Sequence, residues 1–249
     1  MELMDLGLWM TLLAFLAGGI LKGAIGAGTP VVAIPVMALF HDVPYAVAVF
    51  VLPGFLSNAS QAWSYRAHIL PARFTLRLVA GAIAGVVVGS VMLATLPEDL
   101  LIGAVAGMTL AYVGFRLLRP DWVLPIETAQ RVVLPVAGVS GVLQGAAGIS
   151  APVSVTFLNA LGLSRSAFIG TISVFFISMS VAQGPALLGL GILTPDRLLI
   201  SLLACVPLFV GMPIGERLGR TFGKKAFDRV IMLLLVVIAL RLLAEIVLG

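Results

Sequence analysis

"GAIGAGTPVVAIP", residues 23 to 35, sets three glycines and two prolines inside a long apolar run, one residue after Lys22. Both residue types weaken a helix interior, glycine through backbone entropy and proline by removing an N–H and clashing with the preceding turn. At membrane depth a broken backbone is tolerated only where it is buried in protein or lines a cavity. The stretch therefore predicts a helix that stops and a short one that restarts at Thr29-Pro30, with proline in the first turn and the threonine hydroxyl placed to cap open amides. A helix N-terminus carries roughly half a positive charge, so Gly26, Ala27, Gly28 and Thr29 become candidate ligands for an anion.

The rest of the chain says which solvent surrounds this break. Of 249 residues 61% are hydrophobic and only 10% charged, and the mean hydropathy is +1.17, the composition of an integral membrane protein. A spanning helix takes about 20 apolar residues. Charge-poor windows predict helices near 8–26, 30–40, 44–63, 74–96, 100–118, 132–148, 152–162, 166–192, 197–216 and 226–248. The second and seventh are too short to span, as half-helices or re-entrant segments are. The start, Met1 to Asp5, is acidic and lacks the basic region of a cleaved signal, so the first apolar segment is expected to stay in the mature protein. Cys205 is the single cysteine, which excludes an internal disulfide, and no Cys/His metal spacing occurs.

Although the pI is near 9.7, the basic residues are spread over several short loops, which reads as topology and not as a nucleic-acid surface. Arg66, Arg73 and Arg77, then Arg116, Arg119 and Arg131, then Arg217, Arg220, Lys224, Lys225 and Arg229 mark the cytoplasmic side. The N-terminus with Glu2 and Asp5, the Glu98-Asp99 loop and the connection at Asp196 fall outside. Counting crossings between these markers makes each half of the chain end on the side opposite its start and places both termini of this multi-pass protein outside.

The halves are also alike. A shift of 122 residues lays Gly19–Val31 over Gly141–Val153, and nine of the 21 pairs from residue 19 to 39 are identical, including Gly23 with Gly145, Gly26 with Gly148 and Pro30 with Pro152. Gln61 meets Gln183 and Gly89 meets Gly211 at the same shift; after a three-residue insertion, "GFRLL" at 114–118 meets "ALRLL" at 239–243. The expected organisation is a first membrane repeat over 1–119, a basic cytoplasmic linker over 120–131 and a second, inverted repeat over 132–249. The fold class is an all-α polytopic membrane protein of two inverted repeats, each of about five helical segments, with the short helices meeting near the midplane.

That symmetry gives the break a partner. Gln144, Gly148, Ile149, Ser150 and Ala151 join the candidate site, Ser150 as the second capping hydroxyl and Gln144 as the neutral counterpart of Lys22. Lys22 is the only formally charged side chain between residues 6 and 41. An ammonium at bilayer depth costs several kcal/mol unless paired or hydrated, and with no Asp or Glu of similar depth a bound anion is its natural partner. The competing reading has Lys22 snorkelling to an interface or held by backbone carbonyls. Asn58, Gln61 and Gln183, with Ser57, Ser60, Ser178 and Ser180, are further cavity candidates, though interhelical hydrogen bonding accounts for any one of them as well. Gly81, Gly85 and Gly89 form a small-residue face for close helix packing, Trp63 and Tyr65 an interfacial belt, and His41 and His68 lie beside loops.

Missing deep carboxylates argue against a cation substrate and a carboxylate ion relay; no nucleotide-binding or catalytic motif is present, and no cofactor is called for. The duplicated segments "LAGGILKGAIGAGTPVVAIPVMALF" and "VAGVSGVLQGAAGISAPVSVTFLNALG", with "GAIAGVVVGSVMLATLP" after the first basic loop, resemble the sulfite exporter TauE/SafE family of bacterial membrane permeases over essentially the whole chain. The resemblance implies a bacterial inner membrane, with both outer termini then in the periplasm, and transport, mostly outward, of sulfite, sulfonates such as sulfoacetate, or related small organic anions. Lys22 and the facing helix starts suggest a secondary transporter, and the inverted symmetry leads us to expect alternating access. Lys22 and Ser150-Ala151 depart from the commoner glycine-rich pattern of the family. A passive anion channel is the alternative, and a membrane-embedded enzyme a distant third. The expected partners are the small anion and the lipid bilayer, without nucleic acid; a homodimer is compatible with the sequence, which does not select an oligomeric state.

Overall fold

The computed structural model describes residues 6–118, 123–221 and 224–248, and among these the chain is helical throughout, with no strand. In order come α1 (Leu6–Ile25), α2 (Thr29–Ala38), α3 (Val43–Ser64), α4 (Ala72–Thr95), α5 (Glu98–Leu118), α6 (Ile126–Ala147), α7 (Ala151–Asn159), α8 (Arg165–Gly189), α9 (Pro195–Thr221) and α10 (Lys224–Leu248). All ten expected helices are present. Among the described residues, six of them hold stretches long and apolar enough to cross a membrane: α1, α3, α4, α5, α8 and α9. Helix α2 has 10 residues and α7 has 9, about 15 Å and 14 Å at the rise of an α-helix, roughly half a bilayer core. Helix α6 begins at Ile126, inside the stretch expected to be linker, because Pro125 provides an extended entry and Ala129 already packs in the core. The side markers Glu2, Asp5 and Arg119 lie outside the described residues.

Helices break and start for local reasons. Asp42 caps α3 by accepting from the amide of Tyr45, and Ser164 caps α8 by accepting from Ala167 N at 3.3 Å. Within α3, Pro53 removes the N–H that would serve the carbonyl of Val49; Ser201 of α9 donates to that carbonyl instead, at 2.8 Å.

Long-range contacts assign the two ends of the bundle. At one end Gly7 of α1 lies against His41, and Arg197 at the start of α9 pairs with Asp42 at 3.3 Å and sits over the Tyr45 ring. At the other end Arg165 donates to the carbonyls of Gly23 and Ala24 at the close of α1, and Arg77 donates to the carbonyl of Gln130 in α6. Helix α1 thus runs from the first end to the second, while α2 starts with Thr29 beside Gly18 and returns to the first end at His41. Helix α7 starts beside Gln144 and returns to the end where α6 begins, closed by Leu124 N donating to the carbonyl of Ala160 at 2.7 Å.

Two glycine seams hold these helices at close range. A Cβ on Gly81, Gly85 or Gly89 of α4 would run into the carbonyls of Leu134, Gly138 and Val142 of α6, and a Cβ on Gly141 or Gly145 would meet the α4 backbone in return. The same contacts recur 122 residues away in sequence: Gly19 and Gly23 of α1 lie on the carbonyls of Leu208 and Met212 in α9, and Gly211 and Gly215 lie on Leu16 and Ile20. Between membrane helices no hydrophobic force acts, so this backbone proximity is a main source of association. Substituting Gly145→Val should destabilise the fold by about 1–3 kcal/mol through overpacking, read as a lower unfolding midpoint in detergent. Gly107→Val in α5, where an added Cβ meets nothing, is the control, and equal midpoints for the two variants would remove the seam from the argument.

Candidate functional site

The turn between α1 and α2 is made by glycines in the left-handed region. Gly26 has φ 86° and Gly28 φ 113°, and Gly148 closes α6 with φ 69°. These three bear out the expectation that glycine lets the chain turn at the break. Gly23 and Gly145 were expected to do the same, but they lie inside α1 and α6 and serve the packing seams instead.

Capping also differs from expectation. Gly28, not Thr29, is the N-cap of α2, and the Thr29 hydroxyl donates to the carbonyl of Gly18 at 3.1 Å, tying the short helix to the middle of α1. Ser150 is the N-cap of α7, yet its hydroxyl caps nothing and donates to Gln144 Oε1 at 3.1 Å. Val31 N and Val153 N bond back to the carbonyls of Gly28 and Ser150, and the prolines at 30 and 152 carry no N–H. Few N-terminal donors are therefore left open at either short helix, and the cationic character of the site falls mainly to a side chain.

That side chain is Lys22. It is 3% exposed, and its Nζ donates to Asn58 Oδ1 at 2.6 Å. Asn58 is oriented from behind: its Nδ2 donates to the carbonyl of Gly54 at 2.7 Å, which turns Oδ1 toward the lysine. An ammonium has three donors, and among the described residues Lys22 has this one hydrogen bond and no ion pair. The competing expectation, a lysine held by backbone carbonyls or snorkelling outward, is not what the geometry presents.

Around Nζ lies a small cavity lined by Lys22, Gly28, Pro30, Asn58 and Gln144, with Phe50, Phe176, Met179 and Ser180. Its free volume is about 10 Å³, about what one water needs, so an oxyanion enters only if a side chain moves. The flexible lysine stem and the single Asn58 bond make that pair the element able to yield.

Of the thirteen residues expected from sequence, Lys22, Gly28, Asn58 and Gln144 line this cavity. Gly26, Ala27 and Thr29 shape the turn behind it, and Gly148, Ile149, Ser150 and Ala151 form the second break, which reaches the cavity through Gln144 alone. Gln144 is itself fixed, its Nε2 donating to the carbonyl of Gly148 at 3.0 Å. Gln61 is buried against α8, accepting from Ser173, and Gln183 donates to the carbonyls of Gln144 and Gly145. Both act between helices. Phe50, Phe176 and Met179 had no signal in the sequence, since an aromatic or methionine in an apolar helix looks like any other core residue.

With this geometry in view, the family model described as "Sulfite exporter TauE/SafE" matches residues 10–242. The chain belongs to that family. The match takes in both breaks, both glycine seams and every residue lining the cavity. No curated protein and no solved structure matches the chain. As a member of the TauE/SafE family it is a multi-pass membrane protein of a transporter class. Substituting Asn58→Leu should cost about 1–3 kcal/mol, because it strands a buried donor. The double variant with Lys22→Met should lose less than the sum of the two single variants in detergent unfolding, and strict additivity would mean the pair is not coupled.

Proposed function

We propose that the protein is a secondary carrier that exports a small oxyanion, sulfite, sulfoacetate or another organosulfonate or organic anion, across the bacterial inner membrane by alternating access. The observation that carries this reading is Lys22, a buried cation with donors to spare, at a cavity that joins α1, α2 and α3 to α6 and α8. An anion is the species that offsets the cost of such a group. Its chemistry would be hydrogen bonding only: the ammonium donates to one oxygen, and the amide groups of Asn58 and Gln144 supply further polar contacts.

Alternation is supported by two features. Helices α2 and α7 leave the middle of the bundle toward opposite ends, as inverted repeats around a central site would. Bonds at both ends, Arg197 with Asp42 and Arg165 with the α1 carbonyls, join segments about half the chain apart, so each end has contacts that opening would break. Arg197 and Asp42 are both partly exposed, which keeps the strength of that pair small and its opening easy. A cavity of about 10 Å³ also favours a carrier over an open pore. With both ends of the chain placed outside, in the periplasm, the basic end carrying Arg66, Arg77 and Arg165 would face the cytoplasm and receive the anion first.

Reconstituted into liposomes, the wild-type chain should take up labelled sulfite or sulfoacetate saturably and show counterflow, which a channel does not. Removing a charge-assisted hydrogen bond is worth about 1.5–3 kcal/mol, so Lys22→Ala should weaken apparent affinity by about ten- to a hundredfold. Unchanged transport in Lys22→Ala would take Lys22 out of the site.

A further inference from the structure

Behind the cavity at Lys22 lies a second space. Between α3, α8 and α9 runs a groove of about 300 Å³, the lower limit of small-molecule sites, with a lining that is almost wholly apolar: Val51, Phe55, Val181, Pro185 and Leu198 among others. Val181 and Leu198 are exposed on the outside of the bundle, so the groove opens toward the lipid.

The two spaces share a wall. Phe50 faces the cavity and its neighbour Val51 faces the groove; on the opposite helix Met179 faces the cavity, Val181 the groove, and Ser180 borders both. Ser180 is the residue common to the two linings. Its hydroxyl is already satisfied, since it donates to the carbonyl of Phe176 at 3.1 Å and asks nothing of a neighbour. One turn further along α8, Gly184 leaves space against Val51, where an added Cβ would meet only that side chain at an ordinary 3.6 Å. Cation, small-residue gap and apolar groove thus follow one another between α3 and α8.

From this adjacency we infer that the two spaces hold one ligand: an amphiphilic organic anion whose oxyanion head binds at Lys22 and whose alkyl chain displaces the side chains between them and passes Ser180 and Gly184 into the groove. The charge complement lies at one end only, and the dry end has no polar group to satisfy a second charge. A bare inorganic anion would use the head site alone, and an annular lipid chain would use the groove alone. The inference rests on the carrier reading and deepens it: anions with an apolar tail bind this site more tightly than bare sulfite does.

The test uses the full-length protein in liposomes, with inhibition of labelled sulfite transport by linear alkanesulfonates from two to eight carbons. Each methylene that enters the groove should tighten inhibition by about three- to fourfold until the groove is full. Val181→Trp, and independently Leu198→Trp, should fill the groove and flatten this dependence while sulfite transport, which reports correct folding, continues. A flat dependence in the wild type overturns the inference and leaves the carrier reading standing. The same slope in wild type and in both tryptophan variants also overturns it, because the slope then measures partition into the bilayer and the groove holds lipid. If no anion competes and sulfite is not carried, the carrier reading and this inference fall together.

Discussion

An ammonium held inside an apolar bundle sets the terms for everything around it. Lys22 is almost wholly buried, and the bilayer offers it no water, so its surroundings must supply oxygen atoms at close range. Asn58 supplies one, but only because its own amide is anchored to Gly54 in a helix that Pro53 has already loosened. The freed carbonyl of Val49 is then taken by Ser201, a residue of another helix entirely. The buried charge thus ties α1 to α3 through Asn58, and the proline of the same helix ties α3 to α9 through Ser201.

The glycine seams make that arrangement affordable in space. Where α1 meets α9 and α4 meets α6, backbone lies directly on backbone, and the short helices α2 and α7 occupy the room left at mid-depth. Rigid pairs of this kind suit a molecule in which large parts move as units while the local geometry of a site is kept. The bonds at the two ends, one a partly exposed ion pair and the other an arginine on helix-terminal carbonyls, are of the weaker sort that motion can exchange.

Much of this was legible in the sequence, for local reasons. Hydropathy marks a helix because the solvent demands twenty apolar residues in a row, and glycine or proline marks its end because each acts on the backbone beside it. Gly26, Gly28 and Gly148 turn the chain where their positions in the motif foretold. Gly23 and Gly145 misled because a glycine inside a motif looks the same whether it bends its own backbone or admits another. Thr29 and Ser150 misled for a similar reason: a hydroxyl at a helix start has a nearby amide to cap, yet Gly18 and Gln144 offered better acceptors.

From the sequence alone came the membrane, the ten helices, the two breaks and the presence of a deep cation, because each depends on composition within a few neighbouring residues. Only the tertiary structure decided that Lys22 meets Asn58 and Gln144, that Gln61 and Gln183 serve helix contacts instead, and that Phe50, Phe176 and Met179 close the cavity. Those residues lie on four helices and up to about 160 positions apart, and which faces turn toward one another is set by where glycine lets two backbones touch. Helix formation is a local matter; convergence on a site is the outcome of packing.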